Sequence, residues 1–310
     1  MEFVFIVYSV VVAVLLIAIW GTIIANYLDK ARRRRRFVPL RERTLRLLLR
    51  GGMVTDAEMK VAAFRRDKML TASILSSLAV VTDLTSRNVI ARMTRALNLD
   101  ILLASRARRA RGYRQALLLQ QLSRIEPRAA VVEQLDDMLY STNRYVRFYA
   151  MMCHIAAQPM RLFNLLAATS DTLNSFEIAE LTSLIFRGGF PVAYAPMLTS
   201  AYGNLRLLGL SIVRRIGADE TSPQLLRMAA SDPESRVVRE ALYTLSSLKE
   251  PISSEYVAHA ISRISPTERK HLYRHLALHG YSARALADVF NLHERQYFES
   301  LVETYKSKLS

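Results

Sequence analysis

The chain has 310 residues, a net charge of +16 at neutral pH and one cysteine, Cys153, and 51% of its residues are hydrophobic. A single cysteine excludes a disulfide within the chain and a zinc site built from cysteines. The sequence contains no glycine-rich phosphate loop, no G-x-S-x-G and no H-E-x-x-H motif, which excludes the enzyme classes that depend on these motifs.

The first 28 residues predict a membrane anchor. The apolar stretch Phe3–Ala25 has 23 residues, and as a helix it would extend roughly 35 Å, enough to cross a ~30 Å hydrocarbon core. Five arginines follow it: Arg32, Arg33, Arg34, Arg35 and Arg36. Because arginine-rich flanks stay on the cytoplasmic side, we expect a single-pass inner (cytoplasmic) membrane protein with its N-terminus outside. A cleavable signal peptide fits less well, because no lysine or arginine precedes the apolar stretch.

The positive charge is concentrated close to this predicted anchor. The net charge is +8 over residues 26–50, +8 over residues 51–125 and +1 over residues 126–310. This distribution favours contact of Arg32–Arg36 with anionic membrane lipids. We expect no nucleic acid as a partner, because a nucleic-acid-binding surface would not need to lie beside a membrane.

After the anchor, the sequence predicts helices only. Apolar residues recur every three or four positions, and hairpin dipeptides such as Asn-Gly are missing from the sequence. The expected helices before and after the central part of the chain are Arg41–Arg50, Asp56–Ala79, Ser86–Arg109, Thr267–His279, Ala283–Phe290 and Glu294–Leu309. We divide the chain into an anchor (1–28), a basic linker (29–39), an atypical helical N-terminal cap (40–111), repeats (112–265) and a C-terminal helical cap (266–310).

A second basic cluster lies where the N-terminal cap meets the repeats. Its members are Arg106, Arg108, Arg109, Arg111 and Arg114. Guanidinium groups bind phosphates and carboxylates through paired hydrogen bonds. Three interpretations stay open: a solvated turn between helices, contact with a lipid or an acidic protein, and recognition of a nucleotide phosphate.

The central part of the chain contains a degenerate repeat of about 30 residues. Helix frames begin near residues 113, 146, 177, 205 and 237, and second helices are expected near 128–139, 160–169, 192–201, 223–230 and 253–264. The clearest unit has Asp232 as the expected N-cap and Pro233 at the first helical position. Small residues at Ala150, Gly209 and Ala241 would let helices approach closely. We expect the repeat arginines to pair with a neighbouring repeat or with helix ends; they are Arg147, Arg206 and Arg239.

The pattern Asp232-Pro233-x-x-x-Val237, followed by Arg239, Ala241 and spaced leucines, resembles the first helix of a HEAT repeat. Val146-Arg147 matches the same signature directly, and the short spacing is similar to bacterial HEAT-like proteins of the membrane-anchored kind. The resemblance implies a right-handed α-solenoid, in which neighbouring helix pairs share one core and present an extended surface. It implies no particular activity.

One helix carries residues at metal-ligand spacing. Glu268, His271, His275 and His279 would lie on one face, although Arg269, Lys270 and Arg274 add charge that opposes a metal. Some HEAT-like proteins are similar to bilin lyases or to iron-dependent hydroxylases, and the latter would need a second acidic–histidine set. We therefore assign no metal here.

These patterns predict a non-catalytic, membrane-tethered scaffold or adaptor without a cofactor. Its cytoplasmic solenoid would bind another protein, such as the cytosolic part of an envelope or exopolysaccharide glycosyltransferase or of a secretion machinery. The alternatives are a HEAT-like metal-dependent enzyme that uses Glu268, His271 and His275, and a phosphate-ligand (nucleotide) sensor that uses the Arg106–Arg114 cluster.

Overall fold

The computed structural model describes residues 20, 35–51, 54–59, 67–82, 84–249, 260–261, 264–282 and 290–309. Within these ranges the chain is helical and contains no β-strand. The predicted all-α class is therefore confirmed. The chain separates into two compact units, Met1–Ala157 and Gln158–Ser310, here called unit 1 and unit 2.

None of the helices in the described ranges is long and apolar enough to cross a membrane. Even the 18-residue helix Leu292–Leu309 carries charged side chains along its length, whereas a span needs about 20 mostly apolar residues. The predicted single-pass localisation is contradicted by this finding, and we correct it. The predicted anchor, Phe3–Ala25, lies outside the described residues except for Trp20, and so do Arg32, Arg33 and Arg34.

Unit 1 contains α1 (35–50), α2 (Asp56–Met59), α3 (Lys68–Leu78), α4 (Leu84–Leu97), α5 (Leu99–Arg109), α6 (Gly112–Arg124), α7 (Ala129–Val132) and α8 (Arg144–Ala157), with a 3-10 helix at Glu133–Tyr140. Helices α3, α5 and α6 pack against one another, and α6 also packs against α8. The Cys153 thiol donates to the Leu119 carbonyl oxygen at 3.2 Å, and the Gln120 amide donates to the Tyr149 hydroxyl at 2.8 Å, so side chains also join α6 to α8.

Unit 2 contains α9 (Leu162–Ala168), α10 (Ser175–Gly188), α11 (Tyr194–Leu198), α12 (Gly203–Ile216), α13 (Ser222–Ser231), α14 (Ser235–Ser247), α15 (Pro266–Leu278) and α16 (Leu292–Leu309), with 3-10 turns at Pro159–Arg161 and Asp219–Thr221. The longer helices α10, α12, α14 and α15 pack in succession, and α11 and α13 lie against α12 and α14. This succession agrees with the predicted helix pairs. The right-handed solenoid stays a prediction.

The ends of these helices follow from local chemistry. Asn174 and Glu177 form a reciprocal capping box at the start of α10, and Ser265 and Glu268 form one at the start of α15. Helix α12 ends at Gly217, whose φ of +73° is a conformation that glycine adopts without strain.

Helix α14 begins two residues later than the Asp232 cap predicts. Its N-cap is Glu234, while Asp232 accepts a hydrogen bond from the Glu234 backbone N–H at 2.9 Å. Asp232 therefore organises the turn before the helix and does not cap the helix itself.

The small residues at the repeat contacts are buried as predicted. Ala150 and Ala241 are fully buried. A Cβ atom added to Gly209 would lie 2.9 Å from the Met197 Cβ and 3.3 Å from the Leu198 backbone nitrogen. The absence of a side chain at Gly209 is therefore what allows α11 to approach α12.

The prediction of one helix over Ser86–Arg109 is wrong. Asn98 interrupts it with φ +50° and ψ +46°, in the left-handed region. Asparagine tolerates this region better than most residues. The break separates α4 from α5 and lets α5 take its own direction beside α3 and α6. The expected helix Ala283–Phe290 and most of the second helix at 253–264 lie outside the described residues.

Candidate functional site

Unit 1 contains an open cleft of about 1160 Å³, here called the basic groove. Helices α3, α5 and α6 form its walls, and the start of α1 contributes Arg36. Its cationic side chains are Arg36, Lys68, Arg106, Arg109 and Arg114. Three members of the predicted Arg106–Arg114 cluster therefore meet one arginine of the predicted Arg32–Arg36 cluster in a single cleft.

Helix periodicity explains which arginines face the groove. Arg106 and Arg109 are three positions apart on α5 and share one face, whereas Arg108 lies between them and points elsewhere. Arg114 belongs to the first turn of α6, directly after the two-residue connection from α5. The structure thus divides the predicted cluster: Arg108 and Arg111 are exposed but do not line the groove. Arg35 is exposed and does not line it either.

The groove carries almost no compensating negative charge. Asp67 is the single carboxylate among the groove-lining residues that the structure describes, and it lies 3.4 Å from the Arg36 guanidinium. Arg106, Arg109 and Arg114 are exposed and form no ion pair with the described carboxylates. Arg106 and Arg109 lie in the last turn of α5, where the helix dipole favours cations by about 0.3–1 kcal/mol each. This local effect accounts for arginines at the helix end but not for their convergence with Arg36 and Arg114.

Apolar side chains also line the groove, and they are here called its apolar floor. Met69, Leu70 and Leu102 are half-buried, and 37% of Leu117 is exposed. Neither this floor nor the participation of Lys68 was predicted from the sequence. The available signal was the spacing of Leu102, Arg106 and Arg109, four and three residues apart, which places an apolar side chain on the same face as the two arginines.

A buried ion pair fixes the start of α5. The Arg128 Nε donates to the Asp100 Oδ2 at 2.7 Å, and Arg128 Nη2 donates to Oδ1 at 2.8 Å. The Asp100 side chain is fully buried, while 37% of the Arg128 side chain is exposed. The hydrogen bonds to Asp100 raise the pKa of Arg128. Because this two-point contact joins α5 to the start of α7, it holds one wall of the groove in place.

A second contact supports the α6 wall from α4. The Thr94 hydroxyl donates to the Ile125 carbonyl oxygen at 3.0 Å, at the end of α6. Arg87 is buried beside Glu126, and this burial lowers the pKa of Arg87.

The residues at metal-ligand spacing, Glu268, His271 and His275, do not form a cluster that could hold a metal ion. Glu268 caps α15 through Ser265 and pairs with Arg239, and its pKa is lowered despite the opposing effect of burial, because these hydrogen bonds and charges favour the carboxylate. The His275 Nε2 lies 3.2 Å from the Tyr243 carbonyl oxygen, and His271 is exposed to solvent. Among the described residues, no three His, Cys, Asp or Glu side chains are placed to hold a metal ion.

The repeat arginines make structural contacts, as predicted. Arg147 donates to the Ser141 and Thr142 carbonyl oxygens before its own helix. Arg206 lies 2.8 Å from Asp232 and 3.0 Å from Glu234, in the loop before the next helix.

The third repeat arginine, Arg239, borders a small cavity of about 140 Å³ in unit 2. Glu240 links it to Arg214, and Glu268 binds it from α15. These carboxylates already neutralise two of the three arginines that line the cavity, so the basic groove is the stronger candidate for a binding site.

No protein family, curated protein or solved structure is significantly similar to the chain.

Proposed function

We propose that the chain is a non-catalytic scaffold or adaptor that binds an acidic segment of another protein in the basic groove. The observation that carries this proposal is the convergence of Arg36, Arg106, Arg109 and Arg114 in one cleft whose single described carboxylate is Asp67. Exposed guanidinium groups are well suited to carboxylates, because they offer several donors in a fixed geometry.

The size of the groove favours a polypeptide over a small molecule. Pockets for small ligands have volumes of about 300–1,000 Å³ and enclose most of the ligand. The basic groove, at about 1160 Å³, is larger and open to solvent. Such a surface suits a segment of chain that extends beyond the cleft at both ends.

The helical framework supports a scaffold. In unit 2 the longer helices α10, α12, α14 and α15 pack in succession, and Arg206 pairs with Asp232 before the next helix. Under this proposal the packed helices form the framework of the scaffold, and the groove of unit 1 supplies recognition. Glu268 and His275 are engaged in contacts within the fold, which favours the scaffold over the metal-dependent alternative.

A binding titration tests the proposal. Fluorescence anisotropy would follow a labelled peptide rich in Glu and Asp as full-length chain is added, and a Lys-rich peptide of equal length serves as control. We expect binding of the acidic peptide that weakens as salt rises, because added ions screen exposed charges beyond about 8–10 Å at ordinary ionic strength.

Matched variants locate the binding. The triple variant Arg106→Ala/Arg109→Ala/Arg114→Ala should weaken binding by ~10-fold or more, since each exposed pair contributes about 0.2–1 kcal/mol. The double variant Arg108→Ala/Arg111→Ala removes charge from the same cluster outside the groove and should retain most of the affinity. Equal losses in both variants, or no binding of the acidic peptide, would contradict the proposal.

A further inference from the structure

We infer that the partner segment in the basic groove is an amphipathic helix, with acidic side chains followed at one-turn spacing by an apolar stripe. This inference rests on the proposed function and specifies the partner more closely. It comes from the distribution of charge along the groove, from the nature of the groove's walls and from the exposed apolar floor.

On α5 and α6, charge and apolar surface are separated along the groove. Helices α5 and α6 pack together and are joined by only two residues, which makes them an antiparallel hairpin. The end of the groove at this turn carries Arg106, Arg109 and Arg114. One helical turn farther from the turn, α5 contributes Leu102 and α6 contributes Leu117.

This separation determines how far apart the acidic and apolar side chains of the partner must be. Leu117 follows Arg114 by three residues, and Leu102 precedes Arg106 by four. Each separation is about 5–6 Å along a helix. A partner that pairs with the arginines and covers the leucines needs acidic and apolar side chains at the same separation. Residues at i, i+3 and i+4 of a helix provide it, because they lie on one face.

The walls favour a helical partner over an extended one. An extended peptide gains its main-chain hydrogen bonds from an open strand edge. The groove's described walls are helices, whose N–H and C=O groups are already paired along each helix. A helical partner satisfies its own backbone and needs only side-chain contacts, which is the mode in which an amphipathic helix lies in an apolar groove.

The floor also distinguishes this partner from a phosphate ligand. Leu117 is 37% exposed and Leu102 is half-buried, and a phosphate or a nucleic-acid backbone has no apolar surface to cover them. An acidic helix with an apolar stripe would use both parts of the groove, whereas a phosphate would use only the arginines.

Three probes of equal charge test the inference with the full-length chain. The first is a labelled helical peptide in which Glu residues precede a Leu stripe at i, i+3, i+4 and i+7. The second has the same composition, but its Leu residues are spread around the helix. The third is a single-stranded oligonucleotide. We expect the amphipathic peptide to bind ~10-fold more tightly than its scrambled isomer, which corresponds to burial of part of one or two leucines.

Two matched substitutions locate the apolar contact. Leu117→Ser changes the floor, and Ile101→Ser changes a 47% exposed apolar residue of α5 that does not line the groove. Leu117→Ser should reduce the preference for the amphipathic peptide to within ~3-fold, and Ile101→Ser should preserve it. Circular dichroism of each variant checks that the helices are intact, and Leu117→Met should retain the preference.

The outcomes separate the two proposals. If both peptides bind equally and the triple variant Arg106→Ala/Arg109→Ala/Arg114→Ala loses this binding, the inference of an amphipathic helix is overturned. The proposal that the groove binds an acidic segment is then retained. Tighter binding of the oligonucleotide, with the same dependence on these arginines, overturns both. Absence of binding by either peptide also overturns both.

Discussion

The guanidinium of Arg36 lies 3.4 Å from the carboxylate of Asp67, although the two residues are 31 positions apart in the chain. Both residues line the basic groove, and Asp67 is its single described carboxylate. Because 68% of the Arg36 side chain and 26% of the Asp67 side chain are exposed, the pair is easily opened. Asp67 is therefore an internal competitor of any acidic ligand.

Removal of this competitor should strengthen binding. Asp67→Asn eliminates the carboxylate but retains a side chain of similar shape, so we expect an acidic peptide to bind ~2- to 5-fold more tightly at low salt. Fluorescence anisotropy measures the change. Glu42→Gln is the control, because Glu42 is exposed and pairs with Arg46 away from the groove. Unchanged or weaker binding by Asp67→Asn would argue against competition.

Loss of the buried ion pair should destabilise unit 1. Arg128→Leu leaves the Asp100 carboxylate buried without its two-point partner, and we expect a loss of ~2–4 kcal/mol in the free energy of unfolding. Urea unfolding followed by circular dichroism measures this loss. Arg108→Leu, an exposed substitution on α5, should change stability by less than ~0.5 kcal/mol. Similar stabilities of the two variants would mean that the pair does not hold the groove wall.

The contact at Gly209 should resist any added side chain. Gly209→Ala places a Cβ against the Met197 Cβ and the Leu198 backbone. We expect a loss of ~1–2 kcal/mol, because overpacking outweighs the ~1 kcal/mol gain in helix propensity. In thermal unfolding, Gly209→Val should lower the melting temperature more than Gly209→Ala does. Stabilisation by alanine would show that α11 can move away from α12 at little cost.

Stability should fall in moderately acidic solution because of His275. Burial, together with the charges of His279 and Arg214, lowers the pKa of His275 to about 4, although the contact with the Tyr243 carbonyl oxygen opposes this shift. In the unfolded chain the imidazole titrates near ~6.5. Between these values the unfolded state binds more protons, so stability decreases as pH falls from about 6.5 to about 4, by at most ~1.4 kcal/mol per pH unit.

Matched histidine variants test this assignment. His275→Gln retains a donor for the Tyr243 carbonyl oxygen and should flatten the pH dependence of urea unfolding over that window. His271→Gln changes an exposed residue of the same helix and should retain the pH dependence of urea unfolding. An unchanged slope in His275→Gln would place the titrating group elsewhere. His279 contributes a further part of the pH dependence, since burial lowers its pKa as well.

Helix positions in the repeats followed closely from the sequence. The frames predicted from residues 113, 146, 177, 205 and 237 lie at the starts of α6, α8, α10, α12 and α14. Capping residues and breakers explain this agreement, because Asn174, Gly217 and Ser265 act locally. The helix break at Asn98 was harder to predict from the sequence, since the residues on both sides of it continue the helical pattern.

The basic groove was only partly predictable. Arg106, Arg109 and Arg114 are close in sequence, so their common location follows from two helices and a short turn. Lys68, Met69 and Leu70 come from α3, and only the packing of α3 against α5 and α6 brings them to these arginines. Arg36 comes from α1, farther away in the sequence. Local patterns contain no information on that packing.

A comparison of two charge reversals on α5 decides whether the groove is the binding site. Arg109 lines the groove and Arg108 does not, although both are exposed in the last turn of one helix. The measurement is the dissociation constant of the acidic amphipathic peptide for full-length Arg109→Glu and Arg108→Glu. We predict that Arg109→Glu weakens binding by ~10-fold and that Arg108→Glu weakens it by less than ~3-fold. An equal loss in the two variants would contradict recognition in the groove and would indicate attraction by net charge alone.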